Sequence, residues 1–349
     1  MRAAFLTEPE QLEVRESPDP LVPSDGLLLR VMACGVCGSD LRRWRQGPLP
    51  DVGDQIPGHE VSGVVEAVGS QVTRFSVGDR LALAPDVHCG QCYYCRRGRY
   101  NLCDDLRIVG ITPGYAGGFA DKMSLTGEIL ERGIVHPLPD SLSFVEGALA
   151  EPLSSVLAAH QMTGTTVGDR VVIIGAGPIG CLHIAVAKRR GARVLIAQRS
   201  APRRALAARF HPDAIVDPTE QDLVEAVRDW TGGLGADIAI CANPVASTQE
   251  QAVRLVRKGG QVVLFGGLPR ANPMTTLDGN RIHYGEITVF GVFSYHPAMH
   301  ELALQMMAEG IVAAEDIVTH VYGLEQTPEA FRTAARGDGL KVIVTPGAN

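Results

Sequence analysis

The feature that most constrains the fold is a regular alternation of short apolar runs and helix-like stretches between residues 169 and 292. Strands that alternate with helices in this way favour a parallel, doubly wound sheet with helices on both faces. Strands are predicted at residues 171–174, 193–197, 214–216, 236–240, 261–265 and 287–292, and helices at residues 178–190, 202–210, 220–230 and 247–257.

A glycine pattern of the form G-x-G-x-x-G joins the first of these strands to the first helix. There Gly175 allows a tight turn, Gly177 lets the backbone approach a pyrophosphate, and Gly180 permits close packing of helix on strand. The start of the helix then faces the phosphate groups. This predicts a dinucleotide cofactor; a glycine-rich turn without a ligand is the alternative. The predicted binding residues are Gly175, Ala176, Gly177, Pro178, Ile179 and Gly180.

The end of the second strand indicates which nicotinamide cofactor is preferred. NAD-binding chains usually carry an acidic residue about 20 residues beyond the glycines, where it bonds the adenosine ribose. Here the corresponding segment has no acid, and its arginines and serine can hold a 2′-phosphate through charge-assisted hydrogen bonds. We predict NADP in preference to NAD; the alternative is a solvated helix start. The residues are Gln198, Arg199, Ser200, Arg203 and Arg204.

The flanking segments have a different texture. Residues 1–150 are rich in glycine, proline and short strand-like runs, at residues 27–32, 61–68 and 80–83. The last segment contains one helix-like stretch and ends in a strand at residues 341–344. Because a chain of 349 residues exceeds the usual size of a single core, about 250–300 residues, we expect two domains. The predicted division is 1–150, mostly β; 151–292, cofactor-binding; and 293–349, completing the first domain.

Four cysteines with the spacing C-x2-C-x2-C-x7-C predict a closed zinc site. Thiolates on a tight loop supply the four ligands of a tetrahedral zinc, which leaves no position for a substrate, so the zinc would be structural. Neighbouring arginines at positions 96, 97 and 99 can offset the charge of the thiolates. Free thiols or an iron–sulfur cluster are the alternatives. The ligands are Cys89, Cys92, Cys95 and Cys103.

A second, open metal site is indicated by Cys37, His59 and one carboxylate, since a catalytic zinc takes three protein ligands and keeps one exchangeable position. Taken singly, each residue also has an ordinary structural explanation, and Cys34 with Cys37 resembles a redox C-x-x-C pair. The carboxylate stays open. His59 and Glu60 would point to opposite faces of a regular strand, so both can face one metal only if the backbone is irregular; otherwise Glu151 is the ligand.

Charge and hydropathy narrow the function further. A net charge of −7 argues against a broad nucleic-acid surface. The first residues lack the long apolar stretch of a signal peptide, and no apolar run is long enough to span a bilayer. We therefore expect a cytoplasmic protein that acts on a small molecule.

These motifs together resemble the zinc-containing medium-chain dehydrogenases over nearly the whole chain, and most closely the sorbitol and threonine dehydrogenase branch. The resemblance rests on residues 35–40, 58–60, 89–103, 151–153, 175–180 and 341–344. It implies an α/β protein in which a GroES-like, mostly β catalytic domain, split in sequence, accompanies a Rossmann domain. It also implies homodimers or homotetramers built partly through residues 287–292, with the active site between the domains.

The resemblance also implies roles for individual residues. Cys37, His59 and Glu60 match the catalytic zinc ligands, Glu151 matches an acid that binds the zinc or its water, and Ser39 matches the hydroxyl that passes on the substrate proton. Together they imply hydride transfer between a secondary alcohol and NAD(P), with zinc as Lewis acid. The same chemistry in reverse is a ketone reductase.

One position departs from the family pattern. Where relatives often carry a histidine that ends the proton relay, this chain has Arg42, which cannot deprotonate at working pH. We expect the basic turn after Cys37 to border the cleft and to suit a polyhydroxylated or anionic substrate; a solvated basic turn is the alternative. Its residues are Arg42, Arg43, Trp44 and Arg45. Rival functions are a zinc-free quinone or enoyl reductase and a non-catalytic zinc- and nucleotide-binding protein; the open ligand set argues against both.

Overall fold

The computed structural model describes residues 1–50 and 53–347 and divides into two compact units. The first unit joins Met1–Ser154 to Tyr295–Asn349, and the second is Ser155–Ser294. The unit boundaries therefore lie a few residues beyond positions 150 and 292. Among the described residues, no helix is both long enough and apolar enough to cross a membrane.

The first segment of the first unit is mostly β, as expected. Its strands are β1 (Arg2–Glu8), β2 (Gln11–Glu16), β3 (Leu27–Gly35), β4 (Glu60–Val68), β5 (Arg80–Ala84), β6 (Asp86–Val87), β7 (Arg107–Ile108), β8 (Lys122–Leu125) and β9 (Ile134–Pro137). Its helices are α1 (Gly38–Gln46) and α2 (Gly127–Arg132), and α3 (Phe144–Thr163) begins in this segment and continues into the second unit.

The second unit alternates strands and helices. Its strands are β10 (Arg170–Ile174), β11 (Arg193–Ala197), β12 (Ala214–Val216), β13 (Ala236–Cys241), β14 (Val256–Leu264) and β15 (Thr288–Gly291). Its helices are α4 (Pro178–Arg189), α5 (Ala201–Ala207), α6 (Leu223–Trp230), α7 (Ala246–Leu255) and α8 (Gly279–Gly285).

These strands form one parallel sheet in the order β12-β11-β10-β13-β14-β15. The predicted parallel α/β class is confirmed. The strand order reverses between β10 and β13, and ligands of open α/β sheets bind at the carboxyl ends of the strands near such a reversal. The glycine-rich turn after β10 lies at this place in the sheet.

The last segment returns to the first unit. It contains α9 (Pro297–Ala308), α10 (Ala314–Ile317), β16 (Val318–Tyr322), α11 (Thr327–Arg336) and β17 (Lys341–Val344). In the described chain β16, β17, β3, β4, β5 and β9 follow one another in one sheet, and β8 also pairs with β3. β17 is antiparallel to β3, with Ile343 opposite Gly35. The late strand therefore lies next to the strand that leads to Cys37.

Three aromatic rings meet in the core of the first unit. Phe119 and Phe331 are fully buried and meet edge to face with 5.2 Å between ring centroids. Trp44, on α1, packs against Phe331 at 6.1 Å. Because Phe331 belongs to α11, this core joins the first and last segments of the chain, and it anchors the helix that begins beside Cys37.

Helix α3 was not predicted, because Pro152 indicated a change of domain rather than the interior of a helix. Proline removes one backbone hydrogen bond from a helix and usually ends it. Here Leu149, Leu153 and Val156 are fully buried at helical spacing on one face. Burial of this face outweighs the local cost of the proline. The helix carries Glu151.

Two hydrogen-bonded histidines lie in the core of the second unit. His183 Nδ1 is 3.1 Å from His160 Nε2, and His160 Nδ1 is 2.9 Å from the hydroxyl of Thr165. His183 Nε2 has no hydrogen-bond partner among the described residues, and its ring meets Phe265 edge to face. Burial lowers the pKa of His160 to about 3 and, aided by His160, lowers the pKa of His183 well below its usual value. Both rings are therefore neutral in the folded chain.

Acid should destabilise the second unit through these histidines. Their folded pKa values lie below the unfolded value of about 6.5, so the unfolded chain takes up protons first as the pH falls. Their contribution is complete above about pH 6.5 and is lost below it, by up to about 1.4 kcal/mol per pH unit and per histidine. Urea unfolding followed by circular dichroism, between about pH 5 and pH 8, measures this slope.

A matched pair of variants tests whether these histidines cause the fall in stability at acid pH. His183→Leu removes one of the two titrating groups and should make the fall in stability at acid pH shallower. His211 is exposed and has φ 51°, a conformation that asparagine tolerates, so His211→Asn is the control and should keep the slope. An unaltered slope in His183→Leu would contradict the assignment.

Candidate active site

Cys37 lies at the start of α1, where the helix fixes its orientation. It occupies the N-cap position, and its backbone N–H donates a 3.0 Å hydrogen bond to Oδ2 of Asp40 in the first turn. This contact satisfies a backbone N–H at the helix start and holds Asp40, which is 1 % exposed, beneath Cys37. Ser39 lies between them on the same turn. The sequence Cys37-Gly38-Ser39-Asp40 therefore brings a thiol, a hydroxyl and a buried carboxylate together.

An irregular backbone brings His59 and Glu60 to the same site. Gly58 has φ 104°, which side-chain-bearing residues rarely adopt, and β4 begins only at Glu60. A Cβ atom on Gly58 would lie 2.7 Å from Sγ of Cys34, so the bend also requires the absence of a side chain. His59 therefore precedes the regular strand, and the alternation of faces that would separate it from Glu60 does not apply.

The ligand atoms of Cys37, His59 and Glu60 all lie within 4.8 Å of one another. Asp40 Oδ1 is 3.1 Å from His59 Nδ1, and His59 Nε2 is 3.2 Å from the hydroxyl of Ser39. Since an ionised Asp40 can only accept a hydrogen bond, His59 Nδ1 donates and Nε2 is the nitrogen directed toward the donor cluster. A carboxylate behind a ligating histidine is the usual second partner of a zinc-binding imidazole.

The electrostatics of this cluster favour a cation. Burial opposes a charge on His59, but the carboxylate of Asp40 and then the sulfur of Cys37 raise its pKa well above the usual value. The negative charge that raises this pKa would also favour a divalent metal at the same place. The thiolate, imidazole and carboxylate donors fit zinc.

Glu60 has a buried cationic partner, Lys341. Glu60 is 0 % and Lys341 3 % exposed; the ammonium group donates a hydrogen bond to Oε1 and forms an ion pair with Oε2. Oε2 receives no hydrogen bond from any described residue. Burial is the largest single effect and lowers the pKa of Lys341, but the charges of Glu60, Cys37 and Glu151 and the hydrogen bond to Glu60 together raise it. A Cβ on Gly35 would lie 1.9 Å from Oε2, so this glycine makes room for the pair.

Glu151 lies apart from this donor set. It projects from α3 and accepts a 2.9 Å hydrogen bond from the hydroxyl of Tyr295. Burial, and then the charge of Glu60, raises the pKa of Glu151 to about 7. Burial, and then Glu151, raises the pKa of Tyr295 well above its usual value. Of the two carboxylates left open by the sequence, the structure places Glu60 with Cys37 and His59.

The four-cysteine loop is compact. The sulfur atoms of its cysteines lie within 4.8 Å of one another, and none forms a disulfide. Cys103 accepts a 3.2 Å hydrogen bond from the N–H of Cys89, and Cys92 accepts one of 3.5 Å from the N–H of Cys95. That N–H is the leading cause that lowers the pKa of Cys92 to about 6. This donor set fits a tetrahedral zinc. Arg97, expected to offset the thiolates, lies over the ring of Tyr93.

The glycine-rich turn has the geometry that phosphate binding requires. Gly175 has φ 108°. A Cβ atom on Gly180 would lie 1.9 Å from the carbonyl oxygen of Gly175, so α4 packs tightly on the turn. A Cβ on Gly177 would meet no described atom within 4 Å, which leaves open space beside the start of α4. Pro178 is at the first position of the helix, where it costs no hydrogen bond, and Ala176 and Ile179 complete the turn.

The turn after β11 carries the residues predicted to hold a 2′-phosphate. Arg199 is exposed, and Gln198, Ser200, Arg203 and Arg204 are partly buried. Gln198 Oε1 accepts a 3.0 Å hydrogen bond from the N–H of Ser200. The guanidinium group of Arg204 pairs with Asp217, at 2.6 Å.

The basic turn that follows Cys37 is only partly available to a ligand. Arg42 and Arg45 are exposed, whereas Arg43 is partly buried and has an interaction partner. Trp44 is 7 % exposed and packs in the core against Phe331. The expectation that Trp44 borders the cleft is wrong, because the helical turn directs it inward.

Comparison with known proteins agrees with this geometry. Residues 23–140 match the family model for the alcohol dehydrogenase GroES-like domain, and residues 178–309 match that for zinc-binding dehydrogenase. A sorbitol dehydrogenase from Bacillus subtilis (strain 168) is 36 % identical over 99 % of this chain and 97 % of its own length. The chain belongs to the zinc-binding alcohol dehydrogenase family.

Other members extend the likeness. A D-xylulose reductase A from Emericella nidulans is 32 % identical over 97 % of this chain and 94 % of its own. A zinc-binding dehydrogenase from Sinorhizobium meliloti 1021, solved bound to NADP, is 32 % identical with a TM-score of 0.91 and covers 99 % of both chains. The chain is therefore a zinc-type alcohol or polyol dehydrogenase, an oxidoreductase acting on CH–OH donors.

Sequence reasoning missed three residues of this dehydrogenase's site. Asp40 could have been found from its place three residues after Cys37, where a carboxylate caps a helix start. Lys341 belongs to a segment used for the resemblance, but its partner lies 281 residues earlier. Tyr295 follows a loop and shows no pattern that links it to Glu151. The last two need the folded chain.

Removing Lys341 should destabilise the dehydrogenase strongly. Lys341→Met leaves the carboxylate of Glu60 buried without its ammonium partner, and in protein stripped of metal by a chelator the loss of one partner of a buried pair costs about 3–5 kcal/mol. Urea unfolding of the purified protein measures the free energy of unfolding. The double variant Lys341→Met/Glu60→Leu should recover most of the loss, because no unpaired charge remains.

The control is Lys122→Met, which removes an ion pair with Asp19 and Glu66 at a partly exposed site. Such pairs contribute about 0–1 kcal/mol. Equal losses in Lys341→Met and Lys122→Met would show that the buried pair has no special role.

Proposed function

We propose that this dehydrogenase transfers a hydride between a secondary alcohol (a polyol, cyclitol, sugar or amino alcohol) and NADP, which it prefers to NAD. The observation that carries the proposal is the convergence of Cys37, His59 and Glu60 within 4.8 Å, with the hydroxyl of Ser39 3.2 Å from His59. A thiol, an imidazole and a carboxylate make an open zinc set, and the hydroxyl beside it suits proton transfer.

Two zinc ions per chain are part of the proposal. Cys37, His59 and Glu60 would hold the catalytic ion, with Glu151 near it, and Cys89, Cys92, Cys95 and Cys103 would hold the structural ion. The catalytic ion supplies Lewis-acid chemistry to a substrate oxygen when it is bound.

The chain's own residues position the reactants and move the proton. Asp40 holds His59 in one tautomer and one orientation through the 3.1 Å contact to Nδ1. Ser39 Oγ accepts the proton of the substrate hydroxyl while its own hydroxyl proton moves on, so the serine stays neutral. Arg42 cannot accept it, so the proton leaves by water or another group. Tyr295 holds the carboxylate of Glu151 in one orientation.

The cofactor site is assigned to the second unit. Gly175, Gly177 and the start of α4 receive the pyrophosphate, and the turn after β11 receives the adenosine ribose. NADP preference is supported by the absence of an acid at Gln198 and by the exposed guanidinium of Arg199. The NADP-bound relative from Sinorhizobium meliloti 1021 supports it further.

Assembly into homodimers or homotetramers through β15 is also proposed. β15 is the edge strand of the parallel sheet, and its Thr288 and Gly291 are exposed. An exposed edge strand offers unpaired backbone groups to a second copy of the chain.

The decisive experiment is a substrate panel with both cofactors. Purified protein with its metal is given polyols, cyclitols, sugar acids, amino alcohols and simple secondary alcohols, and nicotinamide absorbance is followed with NADP and with NAD. We expect oxidation of one secondary-alcohol class with a higher kcat/KM for NADP, and about two zinc ions per chain by elemental analysis. Higher kcat/KM with NAD rejects the cofactor assignment; one zinc and no turnover reject the catalytic one.

Ser39→Ala should lower kcat by about 10² or more, because the hydroxyl that receives the substrate proton is lost. Steady-state kinetics on the best substrate of the panel measure the change. Ser39→Thr is the matched control, since it keeps a hydroxyl on the same turn, and it should retain most of the lost rate. Near-normal turnover in Ser39→Ala would remove Ser39 from the relay.

A further inference from the structure

One guanidinium group supports the turn after β11 from within. Arg204 Nη1 donates to the carbonyl oxygen of Gln198 at 2.9 Å and to that of Arg199 at 2.6 Å. The same nitrogen lies 2.6 Å from Oδ2 of Asp217, directly after β12. Arg204 therefore ties the turn to the neighbouring strand.

The partner carboxylate is itself fixed. Asp217 is 10 % and Arg204 22 % exposed at their side chains. Oδ1 of Asp217 accepts hydrogen bonds from the N–H and hydroxyl of Thr219, at 2.9 and 2.6 Å. These bonds, and then the charge of Arg204, lower the pKa of Asp217. An ionised carboxylate held on both oxygens keeps Arg204 in place.

The remaining positive groups of the turn are placed differently. The side chain of Arg199 is exposed, although its carbonyl oxygen is bound by Arg204. The charge of Arg203 acts on the thiol of Cys181, in the first turns of α4. Arg199 thus presents its side chain to solvent, whereas the charge of Arg204 is balanced by Asp217.

We propose that Arg204 is a positioning residue that sets the shape of the nucleotide-binding turn, and that the exposed Arg199 and its neighbour Ser200 contact the 2′-phosphate. This rests on the proposed use of NADP. Asp217 contributes by holding the guanidinium group of Arg204 in place. A positioning role predicts that loss of the pair affects both nucleotides, because the turn receives the ribose of each. A direct phosphate contact predicts loss for the 2′-phosphorylated form alone.

The test measures dissociation constants for NADPH and NADH by nucleotide fluorescence with the full-length protein. Arg204→Met/Asp217→Asn removes both charges, so the local net charge stays unaltered. We expect it to weaken NADPH and NADH by a similar factor, about tenfold, because two hydrogen bonds from a charged group to the turn are lost. Arg199→Gln should weaken NADPH about tenfold or more and leave NADH nearly unaffected.

Arg204→Lys separates geometry from charge and perturbs folding less. Lysine keeps the positive charge but lacks the planar fork, so the positioning role predicts weaker binding of both nucleotides. Loss of NADPH binding alone in the double variant, or unaltered binding of both nucleotides in either Arg204 variant, overturns the inference. If the wild type prefers NADH, or if Arg199→Gln leaves the ratio of the two dissociation constants unaltered, the NADP assignment fails. The Arg204 inference is then still tested, because weaker binding of both nucleotides in the Arg204 variants supports the positioning role.

Discussion

The candidate site depends first on the buried ion pair between Glu60 and Lys341. A buried charge is costly unless a partner and hydrogen bonds compensate it. Glu60 begins β4 and Lys341 begins β17, so the pair requires the last segment of the chain to lie in the same sheet as the first. Gly35, opposite Ile343 in that sheet, leaves the space for the carboxylate. The donor cluster therefore depends on the pairing of β17 with β3 in this sheet.

Around this pair each charged group has a defined partner. Asp40 is shared between the N–H of Cys37 and the ring of His59. Glu151 is held by Tyr295, a neutral group. In the second unit Arg204 and Asp217 form an ion pair at the turn after β11. Charges without such a restraint, such as Arg42 and Arg199, lie at exposed positions, where they are free to meet ligand or solvent.

Residue patterns in the sequence predicted most of the individual strands and helices of the second unit. The strand at residues 193–197 and the strand at residues 341–344 have the predicted bounds, because apolar runs between turn residues depend on neighbouring residues alone. Helix α3 was missed because Pro152 indicated a break, whereas buried packing outweighs the cost of the proline. The sequence pattern predicted the residue types of both donor clusters, which the folded chain brings together. It did not predict the choice of Glu60 over Glu151, because that choice needed the bend at Gly58 and a lysine 281 residues away.

The division of the first unit into two separated segments has a consequence for synthesis. A ribosome releases Glu60 and completes the whole of the second unit before Lys341 emerges, because the chain is made from its amino end. Until then the carboxylate has no ammonium partner and is better solvated than buried. The first segment therefore cannot reach its final packing around Glu60 before the whole second unit has been made. The cluster of Cys37, His59 and Glu60 would therefore reach its final arrangement only after Lys341 has joined the sheet.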